Sequence, residues 1–216
     1  AILPLLKTYQ ASVLKSTKTG KVKFNMTSDK NVKALTFLQK LCYKSNVIYP
    51  DNQRNSIEEF LQGDIAMFFG RNRSPSFFLR DYSREDLKDT GMIYLPIGPQ
   101  RSDYVVPSHV YTITAFPINV KRPKSLLHIY QSIFKPQDMH QIIEKQAELY
   151  TFDKQSQILY KKMVNKLEFA DYIKLPMSAY KLIHNKIEDI KKGQPPQKAM
   201  SEIKLKVQKI IDEKFN

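Results

Sequence analysis

The chain has 216 residues, 42% of them hydrophobic and 26% charged, with a formal net charge of +14. That is material for one or two domains with a sizeable core, and no apolar run approaches the roughly 20 residues that a membrane helix needs. One cysteine, Cys42, excludes an intrachain disulfide, and the four histidines (His109, His128, His140 and His184) lack ligand spacing, so no metal or other cofactor is expected.

In chain order, Ala1–Leu14 reads as a helix, with Leu3, Leu5, Leu6, Tyr9 and Val13 on one broad apolar face. Its first residues lack the basic n-region of a signal peptide. Ser16–Gly20 is a polar turn and Lys21–Phe24 a short extended piece. A helix starts at Ser28, a suitable N-cap, and runs to about Tyr43, with Val32, Leu35, Leu38, Leu41 and Cys42 at three-to-four spacing. On that face Cys42 is expected to be a buried, inert thiol. Val47–Asn55 is an extended loop and Ile57–Leu61 a short helix. Phe60–Gly70 then reads as a helix end, a turn at Gly63, a strand Ile65–Phe69 and a second glycine turn. An apolar run bounded by turn signals marks a strand covered on both faces.

Arg71–Pro75 is a polar loop, and Met92–Leu95 a short strand ended by Pro96-Ile97-Gly98-Pro99. Val105–Val106 and Val110–Phe116 alternate in strand fashion, with Tyr111, Ile113 and Ala115 on one face. Pro123 opens a helix at a favourable first position, and its apolar residues continue through Phe134. Gln137–Leu149, Asp153–Val164, Met177–Ile190 and Pro196–Lys214 are helical, the last with Ala199, Ile203, Val207, Ile210 and Ile211 on one face. The order is helix-rich α/β with few, short strands, too little sheet for a complete doubly wound domain.

From Lys154 to Asn216, 14 lysines stand against 7 acidic residues, spread along helical patterns. Clustered arginines would favour phosphate recognition, whereas dispersed lysines mark solvated helix faces, so nucleic acid is not the expected partner. No Gly-x-Ser-x-Gly, P-loop, His-Glu-x-x-His or dinucleotide glycine pattern occurs. The carboxylate pairs Glu58-Glu59 and Glu188-Asp189 are adjacent, so on a helix they diverge by about 100° and read as solvated charge. No enzyme is expected.

Four segments in order carry a family resemblance. Asn31–Leu41 is similar to a helix, and Glu59–Gly70 to the Phe-x-x-Gly-x-x-Ala-Met strand and glycine turn that follows it, in the extracellular solute-binding proteins of bacterial ABC importers. Gly91–Pro99 resembles that family's short strand with a Leu-Pro turn and Gly-Pro, followed by a strand like Tyr111–Ile118 and the helix from Pro123. Asp171–Ile211 resembles its closing pair: Leu-Pro-Met-Ser-Ala-Tyr at 175–180, a long helix, a turn at Gly193 and a last amphipathic helix. The match is to the C-terminal portion of the carbohydrate-binding, maltose-binding-protein-like group, and it spans nearly the whole chain.

The resemblance implies a type II periplasmic-binding-protein-like fold, two lobes that close on a solute, an ABC permease as partner, and no cofactor. It implies an extracellular, cell-surface or periplasmic location, with membrane association only through a leader or lipid anchor that is not in this chain. Residues 1–100 and 151–216 would belong to the C-terminal lobe, and residues 101–150 would cross to the N-terminal lobe. The N-terminal lobe's own sheet is not in the chain, so weak or absent solute binding is expected from these residues alone. The family's sugar-stacking Trp has no counterpart: the chain has no Trp, and Arg73 falls near that place.

Sugar rings have flat C–H faces that aromatic rings can cover, and Tyr104, Tyr111, Tyr172 and Tyr180 are the candidate platforms. Packing in a core or rim is the plainer reading of any one of them, less so for Tyr180 because of its motif position. Arg71 and Arg73, in the loop that faces the cleft in the family, suit carboxylate, phosphate or sulfate groups and turn the expectation toward an anionic small molecule. His109 could donate to a ligand or simply sit at the surface. The alternative to a solute-binding protein is a basic, non-catalytic interaction module for an anionic partner, motivated by the charge and the absent Trp. The Val110–Phe116 strand, unpaired, would offer an edge for dimerisation.

Overall fold

The computed structural model describes residues 3–45, 58–67, 78–80, 82–108, 121–133, 138–169 and 175–215. It is helix-rich with a few small sheets. The chain divides into two compact units, one of residues 1–72, 94–108 and 166–216, the other of residues 73–93 and 109–165.

The first unit begins with helix α1 (Leu3–Thr8). The expected helix to Leu14 stops here because Gln10 turns left-handed, at φ 51°, and the N–H of Ala11 folds back to the Leu6 carbonyl at 2.9 Å. The chain then enters a hairpin, β1 (Leu14–Ser16) and β2 (Val22–Phe24), antiparallel in the register Leu14↔Phe24, Lys15↔Lys23, Ser16↔Val22. The extended piece Lys21–Phe24 is as the sequence indicates, while β1 replaces the expected helix end at Leu14 and the expected start of the polar turn at Ser16. The outer edge of β2 is closed by a side chain: Gln208 accepts from the Phe24 N–H at 2.8 Å and donates to the Val22 carbonyl at 3.1 Å. One amide thus copies the donor–acceptor pair of a third strand.

Helix α2 (Asp29–Gln39) follows Ser28 and ends in a π turn over Lys40–Lys44. Its buried face is Asn31, Ala34, Leu35 and Leu38, with Cys42 half-buried beyond it, where burial pushes the thiol pKa up. Helices α6 (Met177–Lys191) and α7 (Pro196–Phe215) complete this core. Ala179, Ile183, Ile187 and Ile190 face Ala199, Met200, Ile203, Val207 and Ile211, all nearly solvent-free. The i, i+4 spacing places each set on one helix face. Gly193 reverses the chain between them at φ 109°, and its N–H closes on the Ile190 carbonyl at 3.0 Å. Lys186 ties the pair at the rim, 3.0 Å from Asp189 and 2.7 Å from Glu202.

Two expected strands are corrected. Gly63 makes its turn at φ 83°, but Ile65–Met67 joins no ladder and Met67 is 71% exposed. The N–H groups of Asp64 and Ile65 go to the Glu59 carbonyl, closing the preceding helical turn at 58–61 rather than pairing with a strand. Met92–Leu95 is likewise outside any ladder, since the Met92 N–H donates to Ser156 Oγ at 2.8 Å. The second described sheet is instead β3 (Val106–Ser108) parallel to β4 (Leu167–Phe169), with Pro107 opposite Glu168. Phe68–Gly70 and the Val110–Phe116 strand lie outside the described residues.

The second unit holds α3 (Pro123–Ile133), α4 (Met139–Tyr150) and α5 (Lys154–Val164). Asp138 and Asp153 cap the last two, accepting from the N–H groups of His140 and Ser156. Arg84 satisfies the end of α4, donating to the carbonyls of Glu148 at 2.7 Å and Thr151 at 3.1 Å, with its guanidinium 5.8 Å above the Phe152 ring. Ala147, Tyr160, Phe78 and Leu87 are buried in this unit.

The hairpin register carries a direct consequence for stability. Lys15 and Lys23 are cross-strand partners, both exposed, and like charges in that position destabilise. Lys23→Glu is expected to raise stability by about 0.5 kcal/mol, read as a melting temperature higher by roughly 1–2 °C. A lower melting temperature would count against the register.

Candidate functional site

The strongest candidate lies in the loop 94–104, which a turn over Gly98–Arg101, closed by the Arg101 N–H on the Gly98 carbonyl at 3.1 Å, folds back on itself. Tyr94 and Tyr104 flank that turn, and their rings stack with centroids 4.5 Å apart at 16°. Tyr94 covers one face of its partner, yet Tyr104 remains 41% exposed, so the pair presents a tyrosine ring to solvent. Burial, and then the neighbouring Tyr104, push the Tyr94 hydroxyl pKa up, so the Tyr94 ring stays neutral at physiological pH.

Arg101 holds this loop. Its guanidinium forks onto Glu168 of β4, at 2.6 Å and 3.4 Å, and also reaches Asp103 Oδ1 and the Lys7 carbonyl, each at 3.4 Å. The Glu168 hydrogen bond, against the opposing effect of burial, tightens the guanidinium's hold on its proton. The Arg101 side chain is 12% exposed, whereas Asp103 and Glu168 keep 58% and 42% of theirs open. The Gln100 carbonyl accepts from Gln10 Nε2 at 2.6 Å, and Gly98 lies against the Thr8 backbone. The loop is therefore pinned to the end of α1 and to β4.

The arrangement can cover the C–H face of a sugar ring and accept hydroxyl hydrogens on the open carboxylate oxygens. Around the buried Arg101 side chain, Asp103 and Glu168 both keep open carboxylate oxygens that accept hydroxyl hydrogens. That favours a neutral polyol over an anion at this platform.

Of the residues singled out from sequence, Tyr104 is in this platform. Tyr180 sits on α6, half-buried, with its ring 6.0 Å from His184 and tilted against it. The described contacts do not bring these two tyrosines together. Arg71, Arg73, His109, Tyr111 and Tyr172 lie outside the described residues. Tyr94, Arg101 and Glu168 were missed. The placing of Tyr94 and Tyr104 on either side of a Pro- and Gly-rich segment was an available signal; the Arg101–Glu168 pair, 67 residues apart, had none.

The second unit has an open groove of about 490 Å³, lined by Lys88, Asp89, Met92, Ser156, Leu159 and Lys162 among others. Two of its polar groups, Ser156 and Asp153, are occupied with structure. Ser156 Oγ takes the Met92 N–H, and the Asp153 carboxylate caps α5. Burial works to raise the Asp153 pKa, but hydrogen bonds from Ser156 and Gln155 outweigh it and hold the group ionised. Among the described residues no three His, Cys, Asp or Glu side chains converge as metal ligands would, and no described helix is long and apolar enough to cross a membrane.

No family model, curated protein or solved structure matches the chain.

Proposed function

We propose that the chain belongs to the solute-binding component of an ABC importer, with the type II periplasmic-binding-protein-like fold, and that it takes a neutral sugar on the Tyr94–Tyr104 platform. The observation that carries the reading is one shared core. The helix that resembles the family's pre-strand helix (α2) packs with the two that resemble its closing pair (α6 and α7). The same compact unit contains the tyrosine platform. In this reading ligand contacts favour a closed form, which the permease recognises at the cell surface or in the periplasm. The protein acts by binding and carries out no chemical step.

A single stacked ring with a few hydroxyl contacts supports affinity in the millimolar range, about −4 kcal/mol. Tyrosine fluorescence reports it cleanly, because the chain has 12 Tyr and no Trp. Titration with a neutral disaccharide is expected to give a saturable change that Tyr104→Ala removes, while a sugar phosphate binds more weakly. A response identical in wild type and Tyr104→Ala, or tighter binding of the sugar phosphate, would overturn the platform assignment.

A further inference from the structure

The β1–β2 hairpin carries Lys15, Lys18, Lys21 and Lys23 within nine residues, and all four are exposed. Among the described residues none of them has an ion-pair or side-chain hydrogen-bond partner. Lys15 and Lys23 stand opposite each other in register. No Asp or Glu occurs in residues 1–28, so no acidic neighbour in sequence neutralises the cluster. The hairpin is also held in place: Gln208 of α7 bridges β2, and Lys204, one helical turn before it, is exposed as well. The carboxylate on that helix face, Asp212, accepts from Gln208 Nε2 at 2.8 Å.

A repulsion built into a small rigid hairpin is relieved when the lysines meet negative charge. The chemistry of the patch selects among anionic partners. It contains no arginine, the first in the chain being Arg54, so the planar fork that grips individual phosphates is missing. Its one aromatic, Phe24, is buried, so there is no platform for a nucleobase. What remains is a set of mobile, hydrated point charges on flexible stems, bordered by Leu205, which is 85% exposed beside Lys204. Lysines with a protruding leucine suit a diffuse layer of lipid phosphates over an apolar interior.

We propose that the β1–β2 hairpin, with Lys204 and Leu205 of α7, is a docking surface for an anionic phospholipid bilayer. The contact is independent of any lipid anchor and of the solute platform. It orients the first unit with the hairpin toward the membrane.

Co-sedimentation of the full 216-residue chain with lipid vesicles tests this directly. The chain is expected to bind vesicles of phosphatidylcholine mixed with phosphatidylglycerol, to ignore phosphatidylcholine alone, and to be released by salt. Each lysine near such a surface strengthens binding roughly fivefold, so K15Q/K18Q/K21Q/K23Q should weaken it by roughly several hundredfold. The control K121Q/K124Q/K145Q/K154Q removes the same charge from exposed lysines of the second unit and should weaken it far less. Lys23→Glu gives a further check, since it should bind vesicles more weakly while melting higher. Equal losses in the two fourfold variants would mean net charge alone is at work and would overturn the proposal. So would absence of binding, or displacement from the vesicles by a single-stranded oligonucleotide at lower phosphate concentration than competing vesicles require.

Discussion

Gly98→Ala is expected to destabilise the first unit by about 3 kcal/mol or more, the range reserved for collisions in a packed interior. A Cβ at Gly98 would stand 2.1 Å from the Thr8 carbonyl oxygen and 2.6 Å from its carbon. Those are backbone atoms, so no rotamer change relieves the clash. Thr8 cannot retreat easily: it is 1% exposed, and its hydroxyl donates to the Leu5 carbonyl at 2.8 Å. The loop must move instead, taking the Gln10–Gln100 and Arg101–Lys7 contacts and the tyrosine stack with it. Gly20→Ala is the matched control, with φ 81° but nothing within 4 Å, and should lose only about 1 kcal/mol. Thermal unfolding that shows the two variants equally stable would contradict the packing of the loop on α1.

Asn31 gives the second large effect. It is fully buried on α2, and its Nδ2 lies 2.9 Å from the Ser12 carbonyl, 2.8 Å from the Asn25 carbonyl and 2.9 Å from Ser28 Oγ. Two of these partners can only accept, so the amide nitrogen must point this way. Asn31→Ala leaves buried carbonyls under-satisfied and is expected to lose about 2 kcal/mol. Asn31→Asp should lose more at neutral pH, because it aims a carboxylate at carbonyl oxygens in a dry site. Burial and those oxygens raise the new group's folded pKa above its unfolded value, so the folded state binds the extra proton first. Stability of Asn31→Asp therefore falls as pH rises through that raised pKa, and is regained toward acid, where the protonated carboxyl can donate. Denaturant titrations across that range check the slope. Parallel pH profiles for Asn31→Ala and Asn31→Asp would contradict the assignment.

Much of this helical frame can be read from sequence because each helix declares itself locally. The repeats at 179, 183, 187 and 199, 203, 207, 211 give both the elements and their buried faces, and Gly193 marks the turn between them. Where a segment depends on a distant partner, local pattern is insufficient. Leu14 suits a helix face or a strand, and only pairing with Phe24 decides it. Ile65–Met67 has strand composition, but the Ile65 amide is taken up by the preceding turn. Asn31 was passed over in favour of Val32 because an asparagine at a core position looks polar until Ser12 and Asn25 are seen beside it. The site divides in the same way. Tyr104 is one of four tyrosines that the sequence offers as platforms; Tyr94 as its stacking partner, and Arg101 as the clamp reaching Glu168, emerge only from the fold.

The most direct measurement is saturation-transfer NMR on a neutral disaccharide with the full chain. Magnetisation is expected to pass chiefly to the C–H protons of one sugar face, in wild type and not in Tyr104→Ala. Transfer spread evenly over the sugar, unchanged in Tyr104→Ala, or absent from wild type would contradict the tyrosine platform.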